Sequence, residues 1–333
     1  MAADKPLRRL PAGSPPSWVT RPDEREGRVY VMSEKLELGV RVALATGRPL
    51  LLRGDPGSGK SSLAAYIARA RSWRYYEQVV TSRSHAQDLL WTFDSIRRLA
   101  DAQLRRDLND HQYVEPGVLW WAFARGSAFR RGAPVEVKIQ PAVEPHAEMN
   151  VSRSADNSVV LIDEIDKADP DLPNGLLVPL ASNQFKVTET GTLVHIEESA
   201  EGNGFQDNRH LIIVTTNEER ELPQAFLRRC VVLWLEHPNA AQLLAIARRH
   251  CEVYEGGMSV EDERLASELA DAIVGMRDEA ARKAIRPPST AEFLDAFRAC
   301  RQLNVSVTDD VWTELRNMVL IKQQRLADDD SHT

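Results

Sequence analysis

The chain has 333 residues, 43% apolar and 27% charged, which is room for two domains of ordinary size and excludes disorder as its main state. Its 42 basic and 49 acidic residues leave a net charge of −7, so nothing broad in its electrostatics favours nucleic acid or an anionic membrane surface. The longest apolar runs, such as Val118 to Ala124, fall far short of the roughly 20 residues of a membrane helix, and the start MAADKPLRRLPAGSPPSW lacks the apolar stretch of a signal peptide; a cytoplasmic protein without a membrane partner is expected.

In chain order, residues 1–20 are rich in Pro, Ser and Gly and read as a flexible lead-in, with the folded part starting near Tyr30 inside a unit spanning 21–236. Within that unit five nearly continuous apolar runs predict strands buried on both faces: Pro49–Arg53, Tyr75–Thr81, Val159–Ile162, Leu211–Thr215 and Val231–Leu235. Helical patterns alternate with them, as in a mainly parallel sheet covered on both sides. Between the second and third runs, Gln87–Leu104 reads as helix and Val118–Phe123 as strand, and Arg130–Ser158 reads as an excursion or a mobile loop. After His237 and Pro238 the pattern turns wholly helical, with Ala240–Arg249, Glu261–Glu279, Thr290–Leu303 and Asp309 to about Arg325 forming a second unit over 237–325. Ser289 and Glu292 form a capping-box pattern at one of those starts, and 326–333 is an acidic tail. Cys230, Cys251 and Cys300 form no CxxC pair and read as core thiols. His85, His111 and His146 lack the spacing of metal ligands.

The chemistry is densest in Gly54-Asp55-Pro56-Gly57-Ser58-Gly59-Lys60-Ser61-Ser62, which matches G-x-x-x-x-G-K-[ST] between an apolar strand and a helix predicted over Ser61–Arg71. Glycines let successive N–H groups face a phosphate chain, and the positive end of the helix points at it. Lys60 would reach the β and γ phosphates and the Ser61 hydroxyl would ligate Mg²⁺. Val159-Val-Leu-Ile ends in Asp163 and Glu164, the first placed to bind Mg²⁺ and the second to polarise an attacking water. Leu211 to Thr216 delivers Asn217, whose amide offers a donor and an acceptor at once. Arg228 and Arg229 stand just before the last strand, where arginine can enter a neighbouring subunit's nucleotide site.

The ordered set GDPGSGKS, LIDEID, IIVTTN and LPQAFLRRC, followed by a helical unit containing RPPSTAEF, resembles an AAA+ ATPase from about Tyr30 to Lys322, and within that superfamily it is most similar to the MoxR group. The resemblance implies an α/β fold, a P-loop five-stranded parallel sheet in the order 5-1-4-3-2 with a C-terminal helical lid, assembled as a homo-oligomeric ring, commonly a hexamer. It implies ATP and Mg²⁺ as cofactors, Lys60 and Ser61 as the Walker A lysine and metal ligand, Asp163 and Glu164 as the Walker B ligand and base, and Asn217 as sensor 1. Arg229 falls at the arginine-finger position, with Arg228 a near alternative, and Cys230 follows it at the edge where a neighbour should dock. A hairpin over Gln184–Glu197, with Thr-Gly-Thr at its turn, also matches the group. Two departures stand out. Thr290 occupies the sensor-2 position where relatives often carry arginine, leaving Arg286 as a substitute, and TSRSHAQDLL after the second strand lacks an aromatic-Gly pore loop.

The implied function is ATP-driven remodelling of a protein partner, and MoxR-type proteins suggest one bearing a von Willebrand factor A domain. An ATP-gated scaffold with little turnover is the first alternative, motivated by Thr290. A nucleic-acid motor is the second, supported by the Asp163-Glu-Ile-Asp166 string and by a basic strip of Arg125, Arg130 and Arg131. No N-K-x-D element follows Asn217, which disfavours GTP, and the Trp120-Trp121 pair reads as core or as a partner surface.

Overall fold

The five apolar runs assemble into one parallel sheet in the computed structural model, which describes residues 27–154, 156–196, 210–283 and 285–320. The strands are β1 (Leu50–Arg53), β2 (Arg74–Val79), β3 (Ser158–Asp163), β4 (His210–Thr216) and β5 (Val231–Trp234). Their order is β2-β3-β4-β1-β5, the expected 5-1-4-3-2 read from the other edge. Alternation along each strand splits the core into two layers. Leu50, Leu52, Val159, Leu161, Leu211 and Ile213 face α1 (Glu34–Thr46) and α2 (Lys60–Ala70). Leu51, Val160, Ile162, Ile212 and Val214 face the opposite layer, which contains Trp120, Trp121 and Phe226.

That second layer corrects several sequence expectations. Val118–Phe123 is a helix, not a strand: all six side chains are buried, and an apolar run with no solvated face gives no period by which to choose. Trp120 and Trp121 are accordingly core residues rather than a partner surface. The helix expected over Gln87–Leu104 is interrupted by a strand, Trp91–Phe93, paired antiparallel with Val114–Pro116, so that only Ser95–Gln103 is α-helical. Trp91 stacks on Phe185 of the hairpin Gln184–Lys186/Leu193–His195, with ring centroids 5.7 Å apart, and this tertiary contact overrides the local helical pattern. That hairpin turns at Gly191, φ 71°, as its Thr-Gly-Thr suggests, while Glu197 lies outside the described residues.

Within the excursion after Phe129, Val135, Val143 and Val151 stay exposed, but Arg131 and Glu144 are tied into the fold. Buried Glu144 accepts hydrogen bonds from Arg74 (2.8 Å), Tyr76 (2.8 Å) and Arg125 (2.9 Å). Arg131 donates to the Val114 carbonyl at 2.5 Å and the Gln140 carbonyl at 3.0 Å. Arg131 is thereby buried, and Arg125, a third exposed, is paired with Glu144, so the three arginines do not form a free basic strip.

Beyond Pro238 the helices α3 (Ala240–Tyr254), α4 (Val260–Lys283), α5 (Thr290–Leu303) and α6 (Asp310–Val319) enclose a third core around Leu243, Leu269, Ile273, Phe293 and Phe297. Ser289 and Glu292 close the anticipated capping box at the start of α5. The lead-in 1–20, the tail 326–333 and the extension of the last helix to Arg325 lie outside the described residues. Among the described residues no helix is long and apolar enough to cross a membrane.

Candidate functional site

Parallel strands deliver their carboxyl ends to one edge, and loops there converge on a cleft of about 220 Å³ lined by Lys60, Ser61, Asp163, Glu164, Thr215 and Asn217. The first wall is the loop from Gly54 to Gly59, running from β1 into α2. Gly54 and Gly57 have φ of 142° and 78°. A Cβ on Gly54 would lie 2.3 Å from the Leu235 carbonyl oxygen and one on Gly57 would lie 2.2 Å from the Ser289 Cβ, so both positions need glycine for conformation and for space.

Lys60 is buried and folds back over its own loop, donating to the carbonyls of Gly54 (2.7 Å) and Asp55 (2.8 Å). Burial lowers its ammonium below the ordinary lysine value, while Asp163, Asp55, Asp166 and Glu164 pull it back up. Ser58 is buried in the same loop with an Oγ that has no hydrogen-bond partner. A buried orphan hydroxyl in a glycine cradle beside a lysine fits a phosphate chain, whose oxygens accept from all of them.

The second wall is the tip of β3. Asp163 Oδ1 accepts from Ser61 Oγ at 2.6 Å and from Thr215 Oγ1 at 2.6 Å, and Thr215 Oγ1 in turn accepts from the Glu164 N–H at 2.9 Å. Hydroxyl and carboxylate oxygens side by side are the hard donors that Mg²⁺ selects. Among the described residues no group of three His, Cys, Asp or Glu side chains converges to hold a metal alone. Glu164 takes a left-handed backbone, φ 59° and ψ 50°, at the end of the strand. Its Oε1 accepts from Asn217 Nδ2 at 3.2 Å. The structure thus brings Lys60, Ser61, Asp163, Glu164 and Asn217 together.

It does not bring Arg228 or Arg229 there. Both are exposed and precede Val231, which pairs with Leu50 at the amino ends of the strands, the opposite end of the sheet from the cleft. Cys230 follows them at the same end of the sheet and is buried, with burial pushing its thiol up to about 12. A larger cleft of about 990 Å³, between Tyr254, Asp262, Arg298 and Arg301, lies in the helical region and shares no residue with this site.

The helical region closes the cleft's rim: the Thr290 N–H donates to the Gly57 carbonyl at 3.2 Å, and Thr290 Oγ1 is buried without a partner. Arg286, the substitute considered for a sensor-2 arginine, pairs with Glu292 at 3.2 Å. The buried arginine of this region is Arg277, which donates to the Pro288 carbonyl at 2.9 Å and to the Pro238 carbonyl at 2.6 Å; burial pushes it down to about 10. His237, 3.4 Å from Asp55, is held below its ordinary value by burial and by Arg277. Sequence reasoning missed Thr215, Arg277 and His237. Arg277 left a signal, since it follows Leu269 and Ile273 at helical spacing on an otherwise apolar stripe.

The profile of the family described as AAA domain (dynein-related subfamily) matches residues 49–230, which hold both walls of the cleft. No curated protein matches this sequence. Among solved structures, the Thermotoga maritima RuvB Holliday junction branch migration motor is 14% identical over 86% of this chain and 67% of its own, with a TM-score of 0.44. A candidate ATPase from Cytophaga hutchinsonii is 15% identical over 89% of this chain and 85% of its own, with a TM-score of 0.41.

Proposed function

The chain belongs to the AAA domain family, dynein-related subfamily, and is an ATPase; from that premise we propose that the cleft between the Gly54–Ser62 loop and the tips of β3 and β4 binds Mg²⁺-ATP and cleaves its terminal phosphate. The observation that carries this reading is the convergence of Ser61 on Asp163 at 2.6 Å and of Asn217 on Glu164 at 3.2 Å beside Lys60. Bound Mg²⁺ supplies the divalent charge that neutralises phosphate oxygens. Gly54, Asp55, Pro56, Gly57, Ser58, Gly59 and Ser62 form the cradle, and Lys60 exchanges its loop carbonyls for phosphate oxygens. Ser61 and Asp163 would hold the metal. Glu164 takes the proton of the attacking water while Asn217 orients that water. Arg229, with Arg228 as the near alternative, serves the cleft of a neighbouring copy in a ring.

On this reading residues 21–236 are the nucleotide-binding unit and 237–325 the lid, and the cycle remodels a protein partner in the manner of MoxR-type proteins. Nucleic acid is a poorer fit, because Arg125 and Arg131 are committed to internal partners. A slow-turnover scaffold is the second reading, favoured by the engagement of Arg286 with Glu292; turnover well below about one per minute in an assembled ring would select it. The direct test is Glu164→Gln. Nucleotide titration should give an affinity within about threefold of wild type while turnover falls at least ~100-fold. Wild-type turnover in that variant removes Glu164 as the base. The same protein in ATP is the bait for a client, and recovery of nucleic acid alone would overturn the protein-remodelling role.

A further inference from the structure

Asp166 stands three residues beyond Asp163 and is given no task by the cleft as described above. It is 2% exposed, yet its Oδ2 accepts two backbone N–H groups from the far side of the cleft, those of Asn217 (3.2 Å) and Glu219 (2.9 Å). Those two hydrogen bonds form a bridge from the turn after β3 to the turn after β4. Three more contacts run parallel to it: Asn217 Nδ2 to Glu164, an ion pair between Lys167 and Glu219, and Arg220 to the Ala168 carbonyl at 3.2 Å. Lys167 and Glu219 are well exposed, so their pair adds little. The buried carboxylate is the strong member, because one oxygen out of reach of water takes two backbone N–H groups. Its Oδ1 is buried and has no hydrogen-bond partner among the described residues, so its hydrogen bonds there all go to the 217–219 turn.

The consequence lies one residue away. An asparagine amide can hold a water only if its backbone is fixed to within about half an ångström. Asn217 follows the last residue of β4 and precedes Glu218, which has a left-handed φ of 61°; the sheet ladder therefore no longer fixes its position. Asp166 supplies that missing restraint at the Asn217 N–H and again two residues on. We propose that Asp166 is a positioning residue, whose carboxylate sets where the Asn217 amide, and through it the Glu164 carboxylate, stands in the cleft. This rests on the reading of Glu164 and Asn217 as base and water-orienting amide. The role requires an acceptor oxygen and no proton transfer, which separates it from a third catalytic acid.

The test pairs two substitutions with two readouts. Asp166→Ala removes the acceptor, whereas Asp166→Asn keeps a carbonyl oxygen of the same reach. Hydrogen exchange followed across the peptide around 211–222 should quicken at the Asn217 and Glu219 amides in the alanine variant and stay near wild type in the asparagine variant. Steady-state kinetics should show kcat for ATP lowered ~10–100-fold in Asp166→Ala with KM within about threefold, most of the loss recovered in Asp166→Asn, and no further loss when Asp166→Ala is added to Asn217→Ala. Unchanged exchange in Asp166→Ala overturns the proposal whatever the kinetics. Equal loss of kcat in both variants also overturns it, since it would mark Asp166 as an acid or base. Full activity of Glu164→Gln would instead strike the reading of the cleft, while the exchange measurement would still decide whether Asp166 anchors the turn.

Discussion

Gly57 meets two demands at once: its φ of 78° belongs to the left-handed region, and the Ser289 Cβ occupies the space its own Cβ would need. Its carbonyl also takes the Thr290 N–H. Gly57→Ala should therefore cost about 1–3 kcal/mol in backbone strain and push the start of α5 off the loop. The expected outcome is nucleotide affinity at least ~10-fold weaker and a melting temperature several degrees lower, by titration and thermal scan; unchanged values in both would deny the contact any role. At this scale the sequence is informative where spacing itself carries chemistry. The run from Gly54 to Ser62, Asp163 with Glu164, and Asn217 can be read because a phosphate loop and polar residues at strand tips are rare patterns. Thr215 cannot, because a threonine in an apolar strand is indistinguishable from one chosen for β propensity. Asp166 fails for the same kind of reason: an acid after a strand reads as a helix start, and its partners are backbone N–H groups some fifty residues away, which no side-chain pattern announces.

Elements differ in how far they can be read for a physical reason. β1, β3 and β4 are legible because burial on both faces leaves continuous apolar runs bounded by polar turns. Val118–Phe123 satisfies the same description and is a helix, since total burial erases the period in either state. The lid helices are legible from their apolar stripes, and α3 carries a consequence of its packing. His250 on α3 is pushed down to about 4, chiefly by burial and secondarily because Arg298 is near. Above about pH 6.5 the ring is neutral in folded and unfolded chains alike and contributes no pH dependence. Between about 6.5 and 4 the unfolded chain binds a proton that the folded chain refuses, so stability falls with pH, by up to roughly 3 kcal/mol; below 4 both forms are protonated and the loss stops growing. Urea midpoints measured from pH 7.5 to 4.5 should fall more steeply for wild type than for His250→Gln. Parallel curves would assign the acid sensitivity to other groups.

If Arg229 serves as proposed, the polarity of the whole sheet decides how many copies a working site needs. All the strand pairs run parallel, so every carboxyl end, with Lys60, Asp163, Glu164 and Asn217, lies at one edge, and the amino ends, with Arg228 and Arg229 just before Val231, lie at the other. Both arginines lie at the opposite end of the sheet from the cleft of their own chain, so the proposed finger role requires a second copy. In the proposed ring, head-to-tail association would present one copy's amino-end edge to the next copy's cleft and close if the rotation allows. Arg229→Ala should then keep nucleotide binding and lose at least ~10³-fold in turnover, the scale of an arginine finger, and Arg228→Ala should lose much less. The decisive measurement mixes two dead proteins. Arg229→Ala retains an intact cleft and lacks a finger; Glu164→Gln lacks a base and retains a finger. In a random one-to-one assembly about one interface in four joins the intact cleft of the first to the intact finger of the second, so the mixture should recover about a quarter of wild-type turnover from parents that have almost none. A mixture as inactive as its parents would show that the arginine and the base are needed in the same chain, against the geometry of the sheet.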